Sequence, residues 1–128
     1  MDRETKLTLD ELIRRKVQIQ EAKKKRKKTT IYVESLDGCI TLIEPTREMI
    51  KDIQDMDDID KANKYAIYNC TIEPSLKNGE LQEAYECSEP YDIVDKLFKY
   101  NEILQIASVL NDMLGINKGV TVVEEIKN

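Results

Sequence analysis

Leu9, Leu12, Ile13 and Val17 recur at helical spacing, with Asp10, Arg14, Arg15 and Gln18 on the opposite face. This pattern predicts a helix from Thr8 to about Lys25. Thr8 and Glu11 read as a T-x-x-E capping box, with Leu7 and Leu12 at the staple positions on either side. The stripe is narrow and fades before the lysines, so the helix is expected to dock through its first half only.

From Thr29 the period changes from helical to alternating. Thr30 to Leu36 is rich in β-branched residues, Asp37-Gly38 follows, and Cys39 to Glu44 is a second apolar run. An Asp-Gly pair between two such runs predicts a hairpin over about 30–44, because glycine accepts a positive φ. Ile31 and Val33 would share one face of the first strand, and Ile40 and Leu42 one face of the second. A lone hairpin is marginal in water, so it must lie on helices or pair with another chain.

The rest reads as short helices. Thr46 can cap a helix over 47–54, and Asp58 or Asp60 can open another reaching about Thr71, with Ile59, Ala62, Tyr65, Ala66 and Tyr68 on it. Glu73-Pro74 ends it, since the residue before proline disfavours the helical region. Gly79 to Glu86 is a short helix, Ser88 caps one with Pro90 in its first turn, and Asn101 can cap the last. The last stripe is Ile103, Leu104, Ala107, Leu110, Met113 and Leu114, and Gly115 falls where a C′ glycine would. The fold class is therefore α+β, mostly α: an N-terminal helix, one β-hairpin, then four to five short helices. Three parts are expected: a basic N-terminal helix over 1–28, a hairpin plus helical domain over 29–116, and a flexible tail over 117–128. The tail alternates loosely through Val120, Val122 and Val123 and reads equally as a weak strand or as disorder. Exposed valines there would suit a partner-binding segment.

Charge sharpens this division. The chain has 128 residues and a net charge of -5, but residues 1–28 hold 11 Lys+Arg against 5 Asp+Glu, and residues 29–128 hold 9 against 20. A head of +6 thus precedes a body of -11. The head ends in Lys23, Lys24, Lys25, Arg26, Lys27 and Lys28. One reading is a solvated helix end, where cations suit the negative end of the helix dipole. The other is a patch for an acidic partner or nucleic acid. Base-stacking aromatics are not interleaved there, which disfavours nucleic acid.

Composition narrows the chemistry. There is no histidine, which removes the commonest general base and the commonest transition-metal ligand. The cysteines Cys39, Cys70 and Cys87 match no zinc spacing and read as reduced packing residues. Asp55 to Asp60 is acidic, but an EF-hand loop starting at Asp55 needs Gly and Glu where Asp60 and Ala66 stand. Pairs such as Glu80/Glu83 and Glu124/Glu125 read as solvated faces. The four glycines stand apart, so no loop can cradle phosphates. No catalytic, cofactor or metal residues are assigned. No segment approaches a transmembrane length, and the first twelve residues lack the apolar core of a secretory signal.

A resemblance adds to this reading. Glu73, Pro74 and Leu76 form a Glu-Pro-x-Leu helix end, followed by Leu-Gln-x-x-Tyr at Leu81, Gln82 and Tyr85. A helix after a proline turn and a last helix closing on Leu114, Gly115 and Ile116 complete the series. In that order and spacing, the chain over roughly 7–117 resembles the XkdN-like tail assembly chaperones of Gram-positive siphophages, myophages and defective tail-like elements. The resemblance implies a non-catalytic, cytoplasmic protein absent from the mature virion. It would bind the tape measure protein, keep it soluble and help recruit tail tube protein. A frameshifted longer form and homo-oligomers are implied partners, and no membrane. The alternative is a small nucleic-acid-binding regulator using the basic segment 14–28.

Overall fold

The computed structural model describes residues 5–116 and 119–123. The chain divides into two compact units, one of residues Arg26–Leu114 and one of the residues on either side.

In the outer unit the expected N-terminal helix is two: α1 (Leu9–Arg14) and α2 (Lys16–Lys24). The junction is Arg15, whose backbone (φ -92, ψ 12) leaves the helical region while its N–H still bonds Glu11 O at 2.9 Å. Thr8 caps α1 by accepting from the Glu11 N–H at 3.1 Å, while its hydroxyl donates to the Glu11 carboxylate at 3.2 Å. The stripe expected to be half covered is exposed, with Leu9 at 80%, Ile13 at 73% and Val17 at 70%.

The inner unit opens with the hairpin, β1 (Lys28–Val33) and β2 (Gly38–Ile43). They pair antiparallel from Lys28 opposite Ile43 to Val33 opposite Gly38. The turn corrects the glycine argument. Glu34–Leu36 make a tight helical turn, and Asp37, not Gly38, takes the left-handed conformation with φ 46. Asp37 tolerates it because its short side chain accepts from Tyr32 OH at 2.7 Å. The first strand therefore stops at Val33, short of Leu36.

A third strand, β3 (Thr71–Glu73), lies antiparallel to β2, giving the order β1-β2-β3. It follows directly on α4 (Ile59–Cys70), where sequence placed the helix's last turn. α3 (Arg47–Gln54) is capped as expected, with Thr46 Oγ1 accepting from the Met49 N–H at 3.2 Å. Asp58 caps α4 by accepting from Asp60 N–H at 2.9 Å, which gives the acidic loop a structural role. Asn78 caps α5 (Gly79–Ala84) in the same way, at 2.9 Å to Leu81 N–H.

Two helix starts differ from expectation. α6 (Asp92–Leu97) begins after Pro90, and the Asp92 carboxylate, rather than Ser88, accepts the Glu89 N–H at 3.0 Å. α7 (Tyr100–Met113) begins before Asn101, held by the Glu102 carboxylate on the Lys99 N–H at 2.9 Å. The buried face of α7 is Ile103, Ile106, Leu110 and Met113, while Leu104 is exposed. Gly115 closes it with φ 61, as a C′ glycine should.

The core lies where the sheet meets α4, α6 and α7. Leu42, Ile67, Ile93 and Val94 are completely buried, with Leu76 and Ile103 nearly so. Burial of this aliphatic set is the main favourable term in folding. One ion-pair cluster joins the outer sides of α4 and α6: Lys64 lies 3.1 Å from Asp60 and 2.5 Å from Asp95.

Candidate interaction surface

The basic run is not one element. Lys23 and Lys24 end α2, Lys25 caps it, and Lys28 starts β1. In the inner unit, Arg26 Nε donates to Glu44 O at 2.9 Å, and Lys27 N–H donates to the Glu44 carboxylate at 3.1 Å. Glu44 N–H returns a bond to Lys27 O at 2.8 Å. Arg26 and Lys27 thus close the open end of the hairpin. The Arg26 guanidinium and the Lys27 backbone are tied to the sheet through Glu44, a role the charge run alone does not reveal.

β1 is an edge strand, since β2 takes the centre of the sheet. The Lys27–Glu44 bond fixes the alternation. Residues 27, 29, 31 and 33 bond across to β2, so Lys28, Thr30 and Tyr32 turn their N–H and C=O groups outward. All three are exposed. Ile31 and Val33 face the core side, and between them and α7 lies an open groove of about 290 Å³. Its α7 wall is Asn101, Glu102, Gln105, Ile106 and Val109.

Glu102 organises the near end of that groove, and sequence gave no role to it. It is only 8% exposed, yet it is fully partnered: Lys99 N–H, Ser35 Oγ at 2.8 Å and Ser35 N–H at 3.3 Å all donate to it. These bonds, the Lys99 backbone first and the Ser35 hydroxyl next, hold its carboxyl below the usual carboxylate range. A buried, hydrogen-bonded Glu at position N3 of a helix is the signal, but nothing in the sequence points to Ser35 as its partner.

A second surface is aromatic. The Tyr91 ring lies 4.7 Å from the ring of Tyr68 and edge-on to Tyr65 at 6.2 Å. Tyr65 OH donates to Asp52 at 2.7 Å, which with burial pushes its pKa up to about 12. Lys77 lies 5.8 Å over the Tyr68 ring.

In the outer unit, Val120 is 91% exposed and Val122 is exposed as well, while Val123 is half-buried. No strand forms over 119–123. The remaining tail residues, including Glu124 and Glu125, lie outside the described residues. Among the described residues, no group of His, Cys, Asp or Glu is arranged to hold a metal, and no helix is long and apolar enough to cross a membrane. What the surface offers is backbone edge, apolar stripe and charge.

Comparison with known families matches residues 6–127 to the phage XkdN-like tail assembly chaperone proteins. The chain belongs to this family. Comparison with curated proteins and with solved structures returned no match.

Of the residues that carried the family resemblance, Leu76, Leu81 and Gln82 are structural in this tail assembly chaperone, while Tyr85 and Ile116 are exposed. Leu76 is 1% exposed, in the core. Gln82 Nε2 donates to Leu76 O at 2.9 Å and lies 3.4 Å from Tyr68 OH, so it pins the 74–78 turn to α4. Leu81 packs against the core beside it. Leu76, Leu81 and Gln82 thus mark the chaperone's fold.

Proposed function

We propose that the chain binds the tape measure protein of the phage tail, keeps it soluble and helps tail tube protein assemble around it. It acts by stoichiometric binding, without catalysis or a cofactor, in the host bacterial cytoplasm, and is left out of the mature virion. The observation that carries this reading is the exposed apolar stripe Leu9, Ile13 and Val17 on α1 and α2, in a chain of the tail assembly chaperone family. Such a stripe suits the apolar face of a long helical partner.

Residues 1–28 would then be the binding head, 29–116 the scaffold, and Val120, Val122 and Val123 of the 117–128 tail a further contact. Lys23, Lys24, Lys25 and Lys28 suit acidic stretches of the partner, with Arg26 and Lys27 fixing the hairpin end beside them in sequence. Several copies along one partner, a frameshifted longer form among them, would supply affinity through repetition, and copies would contact each other. The acidic body, -11 over residues 29–128, keeps the assembly soluble and opposes nucleic acid as the partner.

Co-expression with the tape measure protein tests this reading. The expected result is a soluble tape measure protein that co-purifies with the chain. Unchanged insolubility and no recovered complex would overturn it.

A further inference from the structure

We propose that a second copy of this chain docks on the outer edge of β1, strand to strand and antiparallel, about a two-fold axis at Thr30. This gives the self-association proposed above a surface and a register. It does not depend on which tail protein is bound.

The edge is built to take a strand. Lys28, Thr30 and Tyr32 present outward backbone groups and are exposed, and Thr29–Val33 contains no charge and no proline. Edge strands that must stay single usually carry such a device in their middle, or a bulge. The β1–β2 register runs without a shift, so β1 is regular along its length.

Charge selects the occupant and the direction. The segment is basic at its start, with Arg26, Lys27 and Lys28, and acidic at its end, with Glu34 and Asp37. A strand of this polarity complements its own reverse. With Thr30 opposite Thr30, Lys28 of each copy faces Tyr32 of the other, and the basic start of each strand lies toward the acidic turn, Glu34 to Asp37, of the other. The three outward residues then form three hydrogen-bonded pairs: Thr30 with its copy, and Lys28 with Tyr32 twice. A basic strand start near an acidic turn favours the pairing, as does a cation beside a tyrosine ring. Centring on Lys28 would instead oppose two lysines and run the second copy's strand against Lys24, which is helical. On the core-side face, Thr29 of the second copy comes beside Ile31 and its Lys27 beside Val33. The lysine stem would cover the mouth of the groove against Ile106. A two-fold axis makes the contact closed, a dimer and not a fibre.

Sedimentation equilibrium of the full chain tests this, with Thr30→Pro as the first variant. The Thr30 N–H points outward, so proline removes no main-chain bond to β2, only the exposed hydroxyl bond between Thr30 and Thr41 at 3.2 Å, and the variant should keep its circular dichroism. It should associate at least ~10-fold more weakly, since both copies lose a main-chain donor. A folded Thr30→Pro chain that dimerises like wild type overturns the surface. Should proline disturb the fold, Thr30→Cys in a Cys39→Ser background decides. Facing Cα atoms about 5.5 Å apart lie within disulfide range. Oxidation should therefore link two chains through Thr30→Cys but not through Thr41→Cys on β2. No cross-link at Thr30→Cys overturns the proposal. A wild type that is monomeric at every concentration overturns this surface and the self-association together. A dimer indifferent to both variants overturns the surface alone, and neither result bears on tape measure binding.

Discussion

Ser35 and Glu102, 67 positions apart in sequence, hold the hairpin turn to the start of α7. The Ser35 hydroxyl donates to one carboxylate oxygen at 2.8 Å and its backbone N–H to the other at 3.3 Å. The first oxygen also accepts the Lys99 N–H at 2.9 Å, so one carboxylate caps a helix and anchors a turn.

That double duty makes Glu102 an acid-sensitive tie. Its folded pKa lies below the ordinary 4.5, so its contribution is present above that value and is lost as pH falls through the folded pKa. Glu102→Gln should lower the thermal midpoint at neutral pH and flatten the acid limb of the stability profile below pH ~4.5. Thermal melts from pH 7 to pH 3 check this. Equal pH dependence in both proteins would refute it.

The three thiols should react in a fixed order. Cys39 is exposed, Cys87 half-buried and Cys70 fully buried. Burial pushes the Cys70 thiol up to about 11, which starves it of thiolate. Alkylation followed by mass spectrometry at pH 8 should label Cys39 first, Cys87 more slowly, and Cys70 only on unfolding. Early labelling of Cys70 in the folded chain would contradict its place in the core.

Tyr65 should titrate late. Its hydroxyl donates to Asp52, and that bond with burial raises its pKa from 10.0 to about 12. The stability it lends is present below pH ~10 and is lost as pH rises through the folded value. Ultraviolet titration of wild type against Asp52→Asn should show one tyrosine moving to lower pH in the variant. Superimposable curves would remove the Asp52 contact from the account.

The hairpin turn gives the sharpest local contrast. Asp37 has φ 46, whereas a Cβ at Gly38 would meet only Leu36 O at 3.7 Å, an ordinary contact. Asp37→Ala should therefore cost about 1–2 kcal/mol, from left-handed strain and the lost bond from Tyr32. Gly38→Ala should be near neutral. Urea denaturation of the two variants distinguishes them, and the opposite ranking would reject the assigned turn.

These sites also show what the sequence made legible. Caps at Thr8, Thr46 and Asp58, the hairpin and the Gly115 stop follow from local chemistry, and each stands where expected. β3 was hidden because Ile72 falls at helical spacing after Tyr65 and Tyr68 of α4, and only pairing with β2 makes Thr71–Glu73 a strand. The break at Arg15 lies in a run of good helix formers that predicts no interruption. The helix expected to be capped by Ser88 starts later, at Asp92, with no side-chain cap, and the Asp92 carboxylate reaches back to the Glu89 N–H. Tertiary partners such as Glu102 and Ser35, or Glu44 and Arg26, have no local signature at all. The groove and the edge they frame were therefore invisible until the chain was folded, while the aliphatic core was readable from periodicity.

The tape measure protein is expected to bind through the α1–α2 stripe. The most direct measurement is titration of solubilised tape measure protein with wild-type chain and with the Leu9→Asp, Ile13→Asp, Val17→Asp triple variant, followed by light scattering. Because these side chains are exposed, the variant should stay folded. Wild type should form a saturable complex, and the variant should bind at least ~100-fold more weakly, roughly the loss of a few exposed-to-buried apolar contacts. No complex with wild type, or equal binding by a folded triple variant, would contradict it.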